Sequence, residues 1–362
     1  MKRLVAGMTA ALLAVILVFT FPANAISAQS AILLDCTSGR VLYSKQQDRR
    51  SLIASTTKIM TALIVCEQCN VLDRMQVPSA AIGIEGSSMY LQAGEVLTIQ
   101  ELLYGLMLHS GNDAATALAI YCGGTVEGFV EMMNDKANAL GLENTHFENP
   151  HGLDGKTHCS TASDLARLAS YAMENPIFAK IVSTKNVQVG SRYLKNHNKL
   201  LWKVAGADGV KTGYTKCAGR ILVSSATRNR RRLVAVTISD PDDWVDHEAL
   251  LEKGFSNYCS REIVAENTLL GTVEIAGGQE NSVALMASEN FVFPIAADET
   301  PRIVLPAPGF VYAPVVQGQT AGYARIYLAD RCIGKVLLTY GSTVEKTEES
   351  KKGNFTLGGS AL

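Results

Sequence analysis

The sequence predicts an α/β domain, with an antiparallel sheet packed by helices, followed by a small all-β domain. Three observations carry this. Short strand-like runs near the start return only after residue 209 and enclose a mainly helical middle, the pattern of one closed layered domain. Beyond Cys259 helical spacing gives way to short β-like runs. The chain has 362 residues, 47% hydrophobic and 19% charged. That length can bury a sizeable core and divides into about two domains.

Taken in order, Lys2 and Arg3 precede an apolar run over 4–21 that ends at Pro22-Ala23-Asn24-Ala25. This reads as a secretory signal peptide over 1–25 with an A-x-A cleavage site, the alternative being an uncleaved anchor helix. Either reading places the rest of the chain outside the cytoplasmic membrane: in the cell wall, in the periplasm or secreted. Apolar runs at 31–36 and 40–44, separated by Thr37-Ser38-Gly39, predict a β-hairpin. From Ser55 to about Cys69, the residues Ile59, Leu63 and Cys66 recur at helical spacing. Thr98 and Glu101 form a capping box ahead of Leu102, Leu103, Leu106 and Met107, so a second helix starts there and runs into His109-Ser110-Gly111-Asn112. Further helices are predicted over 114–121, over 126–140 with Gly141 as its stop, and over 163–173 before Pro176. Strands follow at 209–214, 221–225 and 233–239, the last two joined by the turn at 228–232.

These elements make 26–258 one catalytic domain. The later runs at 272–275, 291–295, 302–305, 324–328 and 335–339 make 259–342 a β-rich domain. The remainder, 343–362, reads as a polar, disordered tail with no sustained apolar face, which leaves membrane association by a terminal amphipathic helix in doubt.

A formal net charge of -1 gives no electrostatic footprint for nucleic acid. Eight cysteines at irregular spacing fix no disulfide framework. Cys66 and Cys69 form a C-x-x-C with no second one to complete a zinc site, so structural thiols or one local disulfide are expected ahead of redox catalysis or metal binding. No metal and no cofactor is expected.

The chemistry is carried by three short elements. A serine hydroxyl needs a base within hydrogen-bond reach. Ser55-Thr56-Thr57-Lys58 supplies one, because positions i and i+3 share a helix face. For Lys58 to act as a general base its amine must be neutral, which burial and neighbouring cations promote. Alone, an S-x-x-K is equally a serine N-cap followed by a surface lysine. Ser110-Gly111-Asn112 falls at a predicted helix-to-helix turn, where a hydroxyl and an amide can face a cleft; alone it is an ordinary N-cap turn. Lys211-Thr212-Gly213 lies on a predicted strand, where lysine and threonine can bind a carboxylate and glycine leaves the strand edge open. Alone it is an edge strand with a solvated lysine. In this order and spread the three match the signature of serine penicillin-binding enzymes and β-lactamases.

Over nearly the whole mature chain, the sequence resembles the low-molecular-mass penicillin-binding proteins, serine-type D-alanyl-D-alanine carboxypeptidases of peptidase family S11. The resemblance includes His109-Ser110-Gly111-Asn112-Asp113-Ala114-Ala115, Asn149-Pro150-His151-Gly152-Leu153-Asp154 and Asp208-Gly209-Val210-Lys211-Thr212-Gly213-Tyr214-Thr215. It implies a β-lactamase/transpeptidase-like fold and removal of the terminal D-alanine from peptidoglycan pentapeptide stems through a Ser55 acyl-enzyme, with β-lactams as inhibitors. Lys58 would be the base, Ser110 would pass a proton to the departing D-alanine, and Asn112 would position the substrate. Lys211, Thr212 and Gly213 would form the substrate-binding strand, and the backbone N–H groups of Ser55 and Tyr214 the oxyanion hole.

His197 stands where some relatives have arginine, and is either a substrate contact or a plain surface histidine. The cluster over 228–232 is either a contact for anionic wall polymer or a solvated hairpin turn. A class A β-lactamase would carry S-D-N and a deacylating E-x-x-L-N, which the chain lacks between Asn112 and Lys211. A non-catalytic penicillin- or wall-binding module would keep the fold without hydrolysis.

Overall fold

The computed structural model describes residues 26–305 and 309–348. The signal-peptide segment 1–25 and most of the expected tail, from residue 349, lie outside the described residues.

The first domain opens with β1 (Ser30–Asp35) and β2 (Val41–Lys45), paired as the expected antiparallel hairpin. A 3-10 turn, Ala54–Thr57, feeds α1 (Lys58–Gln68). After β3 (Arg74–Gln76) and β4 (Val96–Thr98) comes α2 (Ile99–Leu108), where Thr98 and Glu101 make the predicted capping box in both directions. Next are α3 (Asn112–Gly123), α4 (Val126–Ala139), α5 (Ala162–Ala172) and α6 (Pro176–Ser183). The hairpin β5 (Asn186–Val189) and β6 (Arg192–Lys195) and the short α7 (Leu200–Lys203) lead to β7 (Ala207–Thr215), β8 (Gly219–Arg228), β9 (Arg231–Ile238) and α8 (Asp243–Asn257).

The five-stranded sheet has the order β2-β1-β9-β8-β7, all antiparallel. Both of its faces are covered. On β1, Ile32 and Leu34 join the large core under the helical layer, while Ala31 and Leu33 join a second core with Leu250 and Leu251 of α8. That period-two division, repeated on β9 by Val234 and Val236 against Leu233 and Ala235, explains why these runs read as continuously apolar. Strand β7 ends up at the sheet edge.

Helix α8 continues directly into β10 (Tyr258–Val264), which pairs with β13 (Phe291–Ala296). Between and beyond them β11 (Leu269–Ala276), β12 (Ser282–Ala287), β14 (Pro301–Val304), β15 (Val311–Tyr312), β16 (Thr320–Leu328) and β17 (Arg331–Tyr340) form a sheet ordered β14-β16-β17-β12-β11-β15. Val344 and Lys346, which the sequence reading puts in the tail, still bridge to Val315 and Gly278. The two domains touch through Arg40 of the β1–β2 turn. It pairs with the Glu299 carboxylate and lies 5.0 and 5.5 Å from the Tyr258 and Phe293 ring centres.

Three of the four arginines in the cluster are paired within the fold, while Arg230 is exposed at the turn. Arg228 pairs with Glu252, Arg231 with Asp35, and Arg232 with Asp208 and the Met173 carbonyl. The turn is therefore a structural clasp between strand and helix, which leaves these three side chains unsuited to wall polymer.

Candidate active site

Ser55 sits on the 3-10 turn just before α1, not in the helix proper, and it is half-buried at the mouth of a cleft of about 330 Å³. The turn is held in an uncommon shape. Ala54 has φ 45°, and Gly152, at φ +90°, lies so close that a Cβ there would meet the Ala54 carbonyl oxygen at 1.9 Å. Only glycine fits at 152. Thr57 Oγ1 is 2.7 Å from His158 Nε2, and His158 Nδ1 accepts from the Glu148 N–H at 3.0 Å. One ring nitrogen accepts, so the other is the donor to Thr57 and the buried ring is neutral, in agreement with burial lowering its pKa to about 4.

Lys58 opens α1 and is fully buried. Its Nζ has three partners: Ser55 Oγ at 3.0 Å, Asn112 Oδ1 at 2.6 Å and the His151 carbonyl at 2.6 Å. The Asn112 amide is oriented by the bond from its Nδ2 to the Glu85 carbonyl. Two of the partners can only accept, whereas the serine hydroxyl can donate. A neutral amine, with two N–H donors and one lone pair, satisfies this set completely. Burial and the nearby Lys211 ammonium hold the Lys58 pKa well below the ordinary lysine range, against the opposing pull of Asp113.

Ser110 precedes α3 with φ 62°, an uncommon conformation for a residue with a side chain. It accepts from Lys211 Nζ at 3.0 Å. Lys211 also donates to the Thr212 carbonyl at 2.8 Å and is fully buried, which lowers its pKa to about 7. Gly213 packs on the nucleophile's turn, where a Cβ would lie 3.3 Å from the backbone nitrogens of both Ser55 and Thr56. Tyr214 is exposed beside them at the cleft. Of the seven site residues predicted from the three elements, Ser55, Ser110, Thr212 and Gly213 line one cleft together with Tyr214, and the buried Lys58, Asn112 and Lys211 join them through the bonds to Ser55 and Ser110.

Sequence reasoning missed part of the site. The His151 carbonyl contacts Lys58 through backbone, and no side-chain pattern marks a backbone contact. Asp113 accepts from the Ser88 hydroxyl and from the N–H groups of Met89 and Leu91, fixing the loop beside Asn112. His197 stands on the cleft wall, its ring 5.2 Å from that of His109. The wall continues with Lys199 and Arg220, 5.7 and 5.8 Å from the Trp244 ring centre, and Arg220 bonds Asp243 at 2.6 Å. Among the described residues no cluster of His, Cys, Asp or Glu could hold a metal ion.

A serine beside a buried amine, with a second buried lysine on an edge strand, is the equipment of a serine acyltransferase that uses lysine where other serine hydrolases use histidine. Comparison narrows the class. Residues 18–242 match the sequence profile of D-alanyl-D-alanine carboxypeptidase, peptidase S11, and residues 258–346 match that of the penicillin-binding protein 5 C-terminal domain. The chain belongs to the D-alanyl-D-alanine carboxypeptidase family. It is 33% identical over 344 residues to D-alanyl-D-alanine carboxypeptidase DacF of Bacillus subtilis, covering 91% of this chain and 87% of the relative. It is 34% identical over 294 residues to DacD of Escherichia coli, covering 77% and 76%. Penicillin-binding protein 5 from Haemophilus influenzae superposes with TM-score 0.75 at 31% identity, covering 89% of this chain and 98% of the other. The Streptomyces K15 DD-transpeptidase superposes with TM-score 0.62 at 35% identity, covering 64% and 98%.

Proposed function

We propose that this protein removes the terminal D-alanine from peptidoglycan pentapeptide stems through an acyl-enzyme on Ser55, acting outside the cytoplasmic membrane, and that β-lactams acylate the same oxygen. The observation that carries this reading is the fully buried Lys58 amine set 3.0 Å from the Ser55 hydroxyl, its other two partners being Asn112 Oδ1 and the His151 carbonyl, with its pKa held well below the ordinary lysine range by burial. The Ser55 oxygen attacks the carbonyl carbon of the penultimate D-alanine while its proton passes to Lys58. The developing oxyanion is held by the backbone N–H groups of Ser55 and Tyr214. Collapse breaks the peptide bond, and Ser110, replenished through Lys211, supplies the proton to the departing amine. Water then hydrolyses the ester.

The leaving residue ends in a carboxylate. In this reading Lys211 and Thr212 receive it, which is supported by their position on the edge strand β7 and by the cations Lys199 and Arg220, joined by His197 when protonated, on the adjoining cleft wall. Among the described residues no helix is long and apolar enough to cross a membrane.

The test is release of D-alanine from a pentapeptide stem, with mass mapping of β-lactam-treated protein. Wild-type protein should release D-alanine and carry the drug on Ser55. Ser55→Ala should lose both, with a rate drop on the order of 10⁴-fold or more. Label on another residue would sink the assignment. Drug binding with no D-alanine release would mark a non-catalytic module, and rapid penicillin turnover a β-lactamase.

A further inference from the structure

The C-x-x-C of the sequence offers Cys66 and Cys69 as the pair that oxidation would join. The fold points elsewhere. Cys66 is buried inside α1, and burial pushes its thiol up to about 12, so it is held inert. Cys69 has left the helix as its C-cap, in extended conformation, and is half-buried.

Its neighbour lies on α3. Helices α1 and α3 begin side by side, where Lys58 Nζ bonds Asn112 Oδ1 at 2.6 Å. Cys69 follows Lys58 by eleven residues and Cys122 follows Asn112 by ten. At the helical rise these separations are roughly 16 and 15 Å, so packed helices that start together bring these two side chains to the same level at their far ends. There both cysteines are half-buried against the same core, and the ends are tied together by Tyr121 of α3, whose hydroxyl bonds Asp73 Oδ2, just past α1, at 3.3 Å.

We propose that Cys69 and Cys122 form a disulfide in an oxidising environment, stapling the far ends of the two helices whose near ends carry Lys58 and Asn112. Cys69, released from the helix at its C-cap, is the attacking sulfur. Its thiolate attacks a small-molecule disulfide such as oxidised glutathione and expels one thiolate. Cys122 then loses its proton, attacks the Cys69 sulfur of the mixed disulfide and expels the second. Two electrons pass from the cysteine pair to the external disulfide, and one intramolecular S–S bond is formed. Because the closed loop is long, the link restricts the unfolded chain more than a C-x-x-C link would.

The experiment treats the full chain with oxidised glutathione, alkylates remaining thiols and maps peptides without reduction. A Cys69–Cys122 peptide is expected, with a Tm for the catalytic domain roughly 5 °C above that of the reduced protein. Cys122→Ser should lose both the cross-link and the shift. A Cys66–Cys69 link, full alkylation of Cys69 and Cys122 after oxidation, or a shift that survives in Cys122→Ser would overturn the proposal.

Discussion

The two domains bury different things. In the catalytic domain the interior holds Lys58, Lys211, Asn112, Asp113, His158 and His247 among its apolar side chains. In the described part of the β domain the buried residues are all hydrophobic, such as Val273, Leu285, Ile326 and Leu338. Burying an amine or a carboxylate is costly unless its donors and acceptors are met, and the two buried lysines among the described residues both reach the serines of the cleft, Lys58 to Ser55 and Lys211 to Ser110. The β domain's apolar core can contribute to stability, but among its described residues no lysine, histidine or carboxylate is buried.

The strongest test of this contrast removes a buried amine. Lys58→Ala should lower the rate of β-lactam acylation by roughly 10³-fold if the amine is the general base. Time-resolved labelling would measure this on protein whose tryptophan fluorescence reports an intact fold. A variant acylated within tenfold of wild type would mean that another group takes the proton.

The complementary substitution lies in the β domain. Leu338→Ala, within the core of β11, β12 and β17, should cost about 2–5 kcal/mol of stability and leave acylation unchanged. Denaturant unfolding followed beside the labelling rate would show the split. A matching loss of acylation would tie the β domain to the cleft.

A smaller and more diagnostic effect is expected from pH. Lys211 loses its proton at about 7 in the fold, whereas an unfolded lysine holds its proton to roughly pH 10. Between these values the unfolded chain carries more protons, so catalytic-domain stability should rise with pH, by roughly 1 kcal/mol per unit. The buried imidazoles act with the same sign lower down. Burial brings His151 and His158 to about 4 and His247 to about 3, so stability should fall as pH drops from roughly 6.5 toward 4. Every histidine and both tryptophans, Trp202 and Trp244, precede residue 259. Tryptophan-detected Tm should therefore fall between pH 7 and 5, while amide protection of β16 and β17 stays level. Equal losses in both domains would contradict the contrast.

Where the sequence misread the fold, the cause lies in what each element buries. Helix α8 escaped notice because its buried stripe, Asp246, His247, Leu250, Leu251 and Gly254, includes polar residues that mask the apolar period. His247 is satisfied there only by Ser224 and Thr237 on the sheet. Strand β10 carries no sustained apolar run because it is largely exposed along its length. The capping box at Thr98 and the hairpin of β1 and β2 were legible because each is a local pattern in consecutive residues.

The sequence by itself determined what depends on neighbours along the chain: the capping of α2, the alternation of the strands, and the reach of Lys58 to Ser55 three residues away. It also supplied the three motifs whose order identifies the family. Only the tertiary structure decided the state of those groups. It brings Lys211 to Ser110 across 101 positions, closes Lys58 with Asn112 and the His151 carbonyl, and carries Cys69 and Cys122 at the far ends of α1 and α3. The physical reason is that a lysine's proton is governed by burial and by partners distant in sequence, which no local pattern encodes.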